Sequence, residues 1–248
     1  MGGDGTWSNV GNAILRSGQA ARLGLVPGGT GCDLARSLDI PHRIDACARV
    51  ILGGQTRQVD AGRIDDRYFL NIAGFGYDVA VLEDSWSVRH LRGELLYLYC
   101  ALRQLRSFPG FRLQIEADAR PPAQRELLMF IVANAKVFGG GFRIAPWADI
   151  ADGRLEGVAF GNMGLWRRLA VITQLLMGTH RTSDRVEVMS AGRYRLRFDA
   201  PPAYEADGEW YRAASSEVNI EVLPGALSVL APERTAVALP QRAAPEIA

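Results

Sequence analysis

Apolar positions recur at helical spacing at the start of the chain, where Trp7, Val10, Ile14 and Leu15 predict a helix over Trp7–Arg16. A short apolar run, Leu23–Val26, reads as a strand broken by Pro27-Gly28-Gly29. The pattern then predicts a helix over Asp33–Leu38, capped by Thr30 or Asp33 and ended at Ile40-Pro41. Another helix, Arg43–Leu52, stops at Gly53-Gly54. Helix and strand in alternation imply a parallel sheet with helices on its faces. After Thr56 the period shortens. Val59–Arg63, Tyr68–Ile72, Leu113–Ala117, Leu127–Ala133, Leu155–Phe160, Arg185–Met189, Tyr194–Phe198, Val218–Val222 and Leu227–Leu230 read as short strands between turn residues. Two helices, Glu94–Arg106 and Leu165–Leu176, interrupt them.

The fold class expected is therefore α/β plus β. A parallel-sheet α/β unit over 1–58 precedes an antiparallel β-domain over 59–225, with a site expected in the cleft between them. A final strand at about 226–231 is expected to return to the first unit, and 232–248, rich in Ala and Pro without a period, to form a loose tail.

Composition narrows the function. The 248 residues carry a net charge of +1, so no global field steers the chain to nucleic acid, and no nucleic-acid partner is expected. No apolar run reaches the ~18 residues that span a bilayer, and no signal peptide is read at the start. Lys136 is the single lysine among 28 basic residues, which excludes a lysine-bearing G-x-x-x-x-G-K-[ST] phosphate loop. It also excludes the protein-kinase lysine pattern. Cys32, Cys47 and Cys100 form no C-x-x-C and read as free thiols of a reducing cytoplasm.

Two glycine turns carry the candidate chemistry. Gly2-Gly3-Asp4-Gly5-Thr6 opens the first helix, and Pro27-Gly28-Gly29-Thr30-Gly31-Cys32-Asp33 opens the second. Glycines let backbone amides approach phosphate oxygens, and a helix N-terminus adds about half a positive charge. Acidic residues inside such turns are understandable if a divalent cation accompanies the phosphate. Together the turns resemble the diacylglycerol kinase catalytic-domain family, which includes bacterial lipid kinases and sphingosine kinases. Its G-G-D-G-T signature stands at 2–6 and its P-x-G-T-x-N-D-x-A-R signature at 27–36. The resemblance extends to Val59-Asp60-Ala61-Gly62, to Phe69–Asp78 as F-x-N-x-x-G-x-G-x-D, to Pro146–Leu155 as P-x-A-x-x-x-D-G-x-L, and to Asp207-Gly208-Glu209. NAD kinases share the first turn but lack the second signature and the late D-G-E.

The resemblance implies an ATP-dependent lipid kinase with Mg²⁺ as cofactor and diacylglycerol as the acceptor. A sphingoid-base kinase and a catalytically silent lipid- or nucleotide-binding relic remain the alternatives. It makes Glu209 the proton acceptor and Asp4 its partner beside the γ-phosphate, with Gly2, Gly3, Asp4, Gly5, Thr6 and Thr30 contacting the nucleotide. Asp149, Asp152 and Arg154 would form a structural Mg²⁺ loop, Asp152 by its carboxylate and 149 and 154 by their carbonyls. Asp33 and Asp60 are candidates for a metal–water network behind the site, Asp33 being equally readable as a helix cap.

The partner implied is a lipid at an anionic membrane surface, visited from the cytoplasm at the inner face, and a homodimer is left open. Docking is expected through Trp86 with Arg89, Arg92, Arg103 and Arg106. Three departures stand out. Cys32 replaces the family's Asn, Ser8 stands where Asn is common, and Met1 occupies the last position of the strand that precedes the first turn. The family's leading βα units are expected upstream of Met1, with an intact mass of the native protein above 27.1 kDa.

Overall fold

The computed structural model describes residues 1–91 and 94–233. Helix α1 (Asp4–Ser17) is followed by strand β1 (Arg22–Gly24), then α2 (Asp33–Ser37) and α3 (Ile44–Gly53). The β-rich part then runs β2 (Thr56–Ile64), β3 (Arg67–Phe69), β4 (Ile72–Gly76), α4 (Tyr77–Ser87), α5 (Glu94–Ser107), β5 (Phe111–Ala117) and β6 (Ala123–Ala133). It continues with β7 (Leu155–Gly161), α6 (Leu165–Met177), β8 (Val186–Ala191), β9 (Arg193–Arg197), β10 (Ala203–Ala206), β11 (Glu209–Arg212) and β12 (Glu217–Leu230). A helix–strand N-terminal part and a curled antiparallel sheet make the fold α/β plus β.

Among the described residues, all strands join one 12-stranded sheet with the order β11-β10-β4-β6-β5-β9-β12-β2-β3 along its main path. The parallel pairings among the described residues are β1 with β12, Leu23 opposite Val229, and the single bridge Gly2–Pro27. The last third of β12 thus lies between β1 and the first residues of β2, and Thr56 pairs with Leu230. Strands β2 and β12 run through both parts, so the two share a backbone spine.

Three cores flank this spine. Trp7, Leu25, Leu34, Cys47, Val59, Leu227 and Val229 meet under α1–α3. Phe69, Phe75, Phe130, Tyr194 and Ile220 fill the curl of the sheet. Ile131, Val158, Phe160, Val171 and Leu175 pack α6 against its outer side. Helix α1 comes close to β3 because Gly11 has no side chain: a Cβ there would sit 2.8 Å from Leu70 Cδ1.

Several elements depart from the sequence reading. Val218–Val222 and Leu227–Leu230 form one strand, β12, with a register shift between Leu223 and Leu227. Pro224 cannot donate to a ladder, and Gly225 takes the left-handed φ of +58° that the bulge requires. Neither Thr30 nor Asp33 caps α2; Cys32 holds its N-cap position at φ +54° without a side-chain cap. Helix α4 carries too little apolar period to be read in advance, whereas the strand-like segments about Asp207-Gly208-Glu209 do form a hairpin, β10–β11. The tail at 234–248 and Arg92 lie outside the described residues.

Asp60 explains the bulge. It is buried in β2, its Oδ1 accepts the Gly225 amide at 2.7 Å, and its Oδ2 accepts the Gly153 amide at 2.7 Å. Its own amide donates to the Ile150 carbonyl at 2.7 Å, and Asn134 Nδ2 donates to its carbonyl at 2.9 Å. One buried carboxylate thus joins β2, the β12 bulge and the 149–154 loop. Asp60→Asn would turn an amide donor against one of these N–H groups, costing about 2–4 kcal/mol. The expected result is a fall in melting temperature of roughly 5–15 °C. Calorimetry checks it, and a change under about 1 °C would contradict the assignment.

Candidate active site

The two glycine turns touch backbone to backbone. The Gly2 amide donates to the Val26 carbonyl at 3.1 Å and the Gly28 amide to the Gly2 carbonyl at 2.9 Å. A Cβ on Gly29 would lie 2.7 Å from Gly3 Cα, so no larger residue fits there without moving the first turn. The amides at the start of α1, near Gly3, Asp4 and Gly5, have no partners within the helix and stand beside the second turn. Thr6 leans over Gly2, its Oγ1 2.7 Å from where a Cβ on that residue would be. Thr30 is exposed on the second turn.

Asp4 bridges the turns. Its Oδ1 accepts the Leu34 amide at 3.1 Å and the Asn71 side-chain amide at 3.4 Å. The N-terminal amide group of α2 is therefore satisfied from another helix, which is why α2 does without a cap of its own. A Cβ on Gly31 would lie 2.8 Å from Asp4 Oδ2 and 3.6 Å from Asp33 Oδ2, so that glycine leaves room for two carboxylates. Asp33 accepts the Gly140 amide at 2.9 Å, and Arg36 Nη1 donates to the Gly140 carbonyl at 2.7 Å. Burial, aided by the nearby Asp4 charge, raises the Asp33 carboxyl above its ordinary range. The loop Gly139–Gly141, with left-handed or extended-positive φ at all three positions, is thereby clasped to the second turn.

Glu209 arrives from the other side. Strands β10 and β11 pair with Ala206 opposite Glu209, leaving Asp207 and Gly208 as a two-residue turn with φ of +51° and +86°. Asp-Gly suits this turn because both positions need positive φ. The hairpin delivers Glu209 to the first glycine turn: its Oε1 is 3.7 Å from where a Cβ on Gly5 would stand.

What aims the hairpin is Asp207. Its Oδ2 accepts the Leu70 amide at 2.8 Å, and its Oδ1 accepts the amides of Asn71 at 2.8 Å and Ile72 at 3.2 Å. Ser8 of α1 adds a side-chain hydrogen bond, and burial still leaves the Asp207 carboxyl above its usual range. The sequence reading carried Asn71, Asp207 and Ser8 as motif letters or departures and gave them no task. Their signal was their place within F-x-N and D-G-E, next to a position with a role.

Asp33 and Asp60 do not share a place. Asp33 stands with Asp4 at the glycine turns, whereas Asp60 is tied by both oxygens to the 149–154 loop and the β12 bulge. In that loop Asp149 Oδ1 accepts the Ala151 amide at 3.3 Å and Asp152 Oδ1 the Arg154 amide at 3.0 Å. The Arg154 guanidinium points away, to Ser190 Oγ at 2.9 Å and Asp118 at 3.3 Å. Burial first, then the charges of Asp149, Glu156 and Asp60, raises the Asp152 carboxyl. That surplus of acid and carbonyl oxygen fits a hard cation in chemistry. Among the described residues, however, no three acidic, Cys or His side chains converge on one point, so such an ion would need main-chain carbonyls as well.

A second acidic pair lies behind Asp207. Glu205 pairs with Gly74 across β10 and β4, and the space a Gly74 side chain would fill holds the Asp78 carboxylate. Both Asp78 oxygens are buried without a hydrogen-bond partner. Burial pushes Asp78 up to about 7, and burial with the Asp78 and Asp207 charges holds Glu205 well above the usual carboxylate range.

Two predictions follow from these acids. Asp207→Asn should lower the melting temperature by roughly 5–15 °C, because an amide cannot accept all three N–H groups; an unchanged melt would remove Asp207 as the anchor of the hairpin. Unfolded Asp78 loses its proton near 3.8, and folded Asp78 near 7. Between these values the fold binds more protons, so this group's contribution to stability declines as pH rises through that window. Asp78→Asn should therefore melt higher than the parent at pH 8 and nearly alike at pH 4. Equal differences at both pH values would contradict the buried, protonated state.

Comparison with known proteins bears on this arrangement. Residues 1–64 match the model described as the diacylglycerol kinase catalytic domain, and residues 71–231 the YegS C-terminal NAD kinase beta sandwich-like domain. The "Diacylglycerol kinase" of Bacillus subtilis (strain 168) is 29% identical over 211 residues, 84% of this chain and 69% of that one. "Probable lipid kinase YegS" of Salmonella agona (strain SL483) is 30% identical over 234 residues, 91% of this chain and 75% of that one. A crystal structure of a diacylglycerol kinase from Bacillus anthracis str. Sterne superposes with a TM-score of 0.71 at 20% identity, covering 93% of this chain and 74% of that one, which bears on the fold alone. With both halves matched in chain order and the D-G-E hairpin meeting the glycine turns, the chain belongs to the diacylglycerol kinase catalytic-domain family of lipid kinases.

Proposed function

We propose that this chain transfers the γ-phosphate of ATP to a lipid hydroxyl, with diacylglycerol as the acceptor. The observation that carries the reading is the approach of Glu209 to Gly5, which sets a carboxylate beside a glycine turn suited to phosphate. Glu209 takes the proton of the acceptor hydroxyl as its oxygen bonds to the γ-phosphorus. The bond from that phosphorus to the bridging oxygen breaks, and ADP leaves. The amides at the start of α1 and beside Gly28–Gly31 receive phosphate oxygens, and Asp4, held by Leu34 and Asn71, stands next to them. Mg²⁺ bound with the triphosphate would neutralise its charge, with Asp4 and Asp33 as the nearest acids. The 149–154 loop is the candidate for a second, structural ion. The proposed setting is the cytoplasmic face of a membrane; among the described residues no helix is long and apolar enough to cross one.

Labelled ATP offered with a panel of diacylglycerols, sphingoid bases and soluble alcohols tests the reading. Transfer to diacylglycerol is expected, and transfer to sphingoid base alone would reassign the acceptor. Glu209→Gln should cut turnover by ~10² or more while nucleotide affinity and melting temperature hold. A variant keeping more than about a third of parental turnover would take Glu209 out of the chemistry.

A further inference from the structure

Helix α5 is apolar on the side that faces away from the protein. Leu95, Leu98, Tyr99 and Leu102 recur at i, i+3, i+4 and i+7, which makes one stripe, and they are 67%, 56%, 42% and 54% exposed. Elsewhere on the helix Cys100 is buried, and Tyr77 of α4 donates to the Ala101 carbonyl at 2.7 Å. Tyr97, off the stripe, is 51% exposed, and Leu105, one turn beyond Leu102, is buried and ends its exposed apolar run. An outward stripe of this size on a helix is a contact surface in want of an apolar partner. Trp86, at the end of α4, the helix packed against α5, is also 61% exposed.

The charge around the stripe is positive. Arg106 continues it one turn beyond Leu102, and Arg89 stands in the connection from α4; both are exposed, and among the described residues neither pairs with a carboxylate. His90 lies edge-on to Tyr99 at 6.2 Å. Arg103, expected to face headgroups, is instead bound to Asp84 at 2.6 Å, an acid buried between α4 and α5. That ion pair removes one arginine from the docking set and also keeps an acid from opposing it. The exposed acid on α4, Glu83, is held by Trp210 Nε1 at 2.9 Å.

The surface is continuous with the site. Trp86 meets Trp210 edge-to-face at 5.6 Å, and Trp210 follows Glu209 in β11. Successive strand residues point to opposite faces, so one side of this strand presents Glu209 to the glycine turn and the other presents Trp210 to α4.

We infer that the outer face of α4–α5 seats this chain on an anionic bilayer, Leu95, Leu98, Tyr99 and Leu102 entering the acyl boundary and Arg89 and Arg106 meeting headgroup phosphates. The inference rests on the lipid-acceptor reading for its reason, and on the stripe, its basic rim and the Trp86–Trp210 contact for its place. A bilayer fits better than a second copy because a self-paired stripe would bring Arg89 and Arg106 towards their own kind. Apolar insertion, not charge alone, holds the chain there, since one expected arginine is occupied.

Co-sedimentation with vesicles of phosphatidylglycerol and phosphatidylcholine tests this without turnover. Leu98→Asp with Leu102→Asp should weaken binding by about 10- to 100-fold. Both side chains are exposed, so the melting temperature should hold. Arg89→Glu with Arg106→Glu should weaken binding several-fold and remove the preference for anionic over neutral vesicles, and high salt should weaken parental binding without abolishing it. Unchanged vesicle binding in the leucine pair would overturn the assignment. So would a parental dimer that the leucine pair dissociates, because the stripe would then be an interface between copies. Phosphate transfer to a dispersed short-chain diacylglycerol should survive in the leucine pair. Absence of transfer by the parent to any acceptor, with vesicle binding intact, would count against the kinase reading and leave the docking face standing.

Discussion

The site depends on a buried carboxylate that never meets substrate. Asp207 gathers the amides of Leu70, Asn71 and Ile72, and Ser8 reaches it from α1. A hydrogen bond to a charged group contributes ~1.5–3 kcal/mol, and a buried charge without such bonds is strongly destabilising. The β10–β11 hairpin therefore has one stable seat, on the segment that joins β3 to β4. The same segment supplies Asn71, whose side chain reaches Asp4 and whose carbonyl receives the Asn134 and Ala135 amides at 2.9 and 3.1 Å. Glu209, itself exposed, is aimed by what lies two residues earlier. A flexible acid on a surface loop would have to be ordered at each turnover, whereas a hairpin fixed at its turn carries that ordering in the fold.

The second constraint is steric. The two glycine turns approach within backbone contact, as two turns directing amides at one phosphate chain would have to on the proposed reading, and Gly3 and Gly29 permit it. Position 32 then adopts a left-handed backbone without being glycine; Cys32 is buried, with its thiol 3.3 Å from the Gly29 carbonyl. An asparagine accepts that conformation more readily than most side chains. The cysteine meets the same geometric demand with a weaker hydrogen-bonding group.

Much of this was legible in the chain. The strands of the curled sheet showed themselves through period-two alternation, and α1 and α6 through apolar spacing, because each buries one defined face; α5 has the same spacing although its apolar stripe is exposed. The hairpin β10–β11 showed itself through its Asp207-Gly208 turn more than through its strands, which are four residues each and reach the core mainly by Tyr204 and Tyr211. The join in β12 was hidden. Pro224-Gly225 reads as a chain break, and only Asp60, far off in sequence, makes it a bulge within one strand. Among candidate site residues, those in glycine turns were legible because backbone geometry and chemistry demand the same residue. Asp60 and Asp207 were harder: a lone acid at a strand end looks alike whether it binds a cation, meets solvent or receives backbone amides. The ion pair of Arg103 with buried Asp84 was hidden for the same reason, being invisible to helical spacing.

The charge inventory of the cleft has a mechanistic consequence. Asp4, Asp33 and Glu209 all border the glycine turns, and the nearest guanidinium, Arg36, is engaged by the Gly140 carbonyl and Asp33. A helix N-terminus offers about half a charge, too little to offset these acids and a triphosphate together. Anionic substrate alone would thus meet an acidic surround, in which burial and the nearby Asp4 charge already raise the Asp33 carboxyl. Substrate accompanied by a divalent cation reverses the sign: the acids that repel bare phosphate then attract the complex. On the proposed kinase reading, nucleotide affinity would then be set by the cation that travels with it, and the aspartates inside the glycine turns would select the charged complex over the free anion.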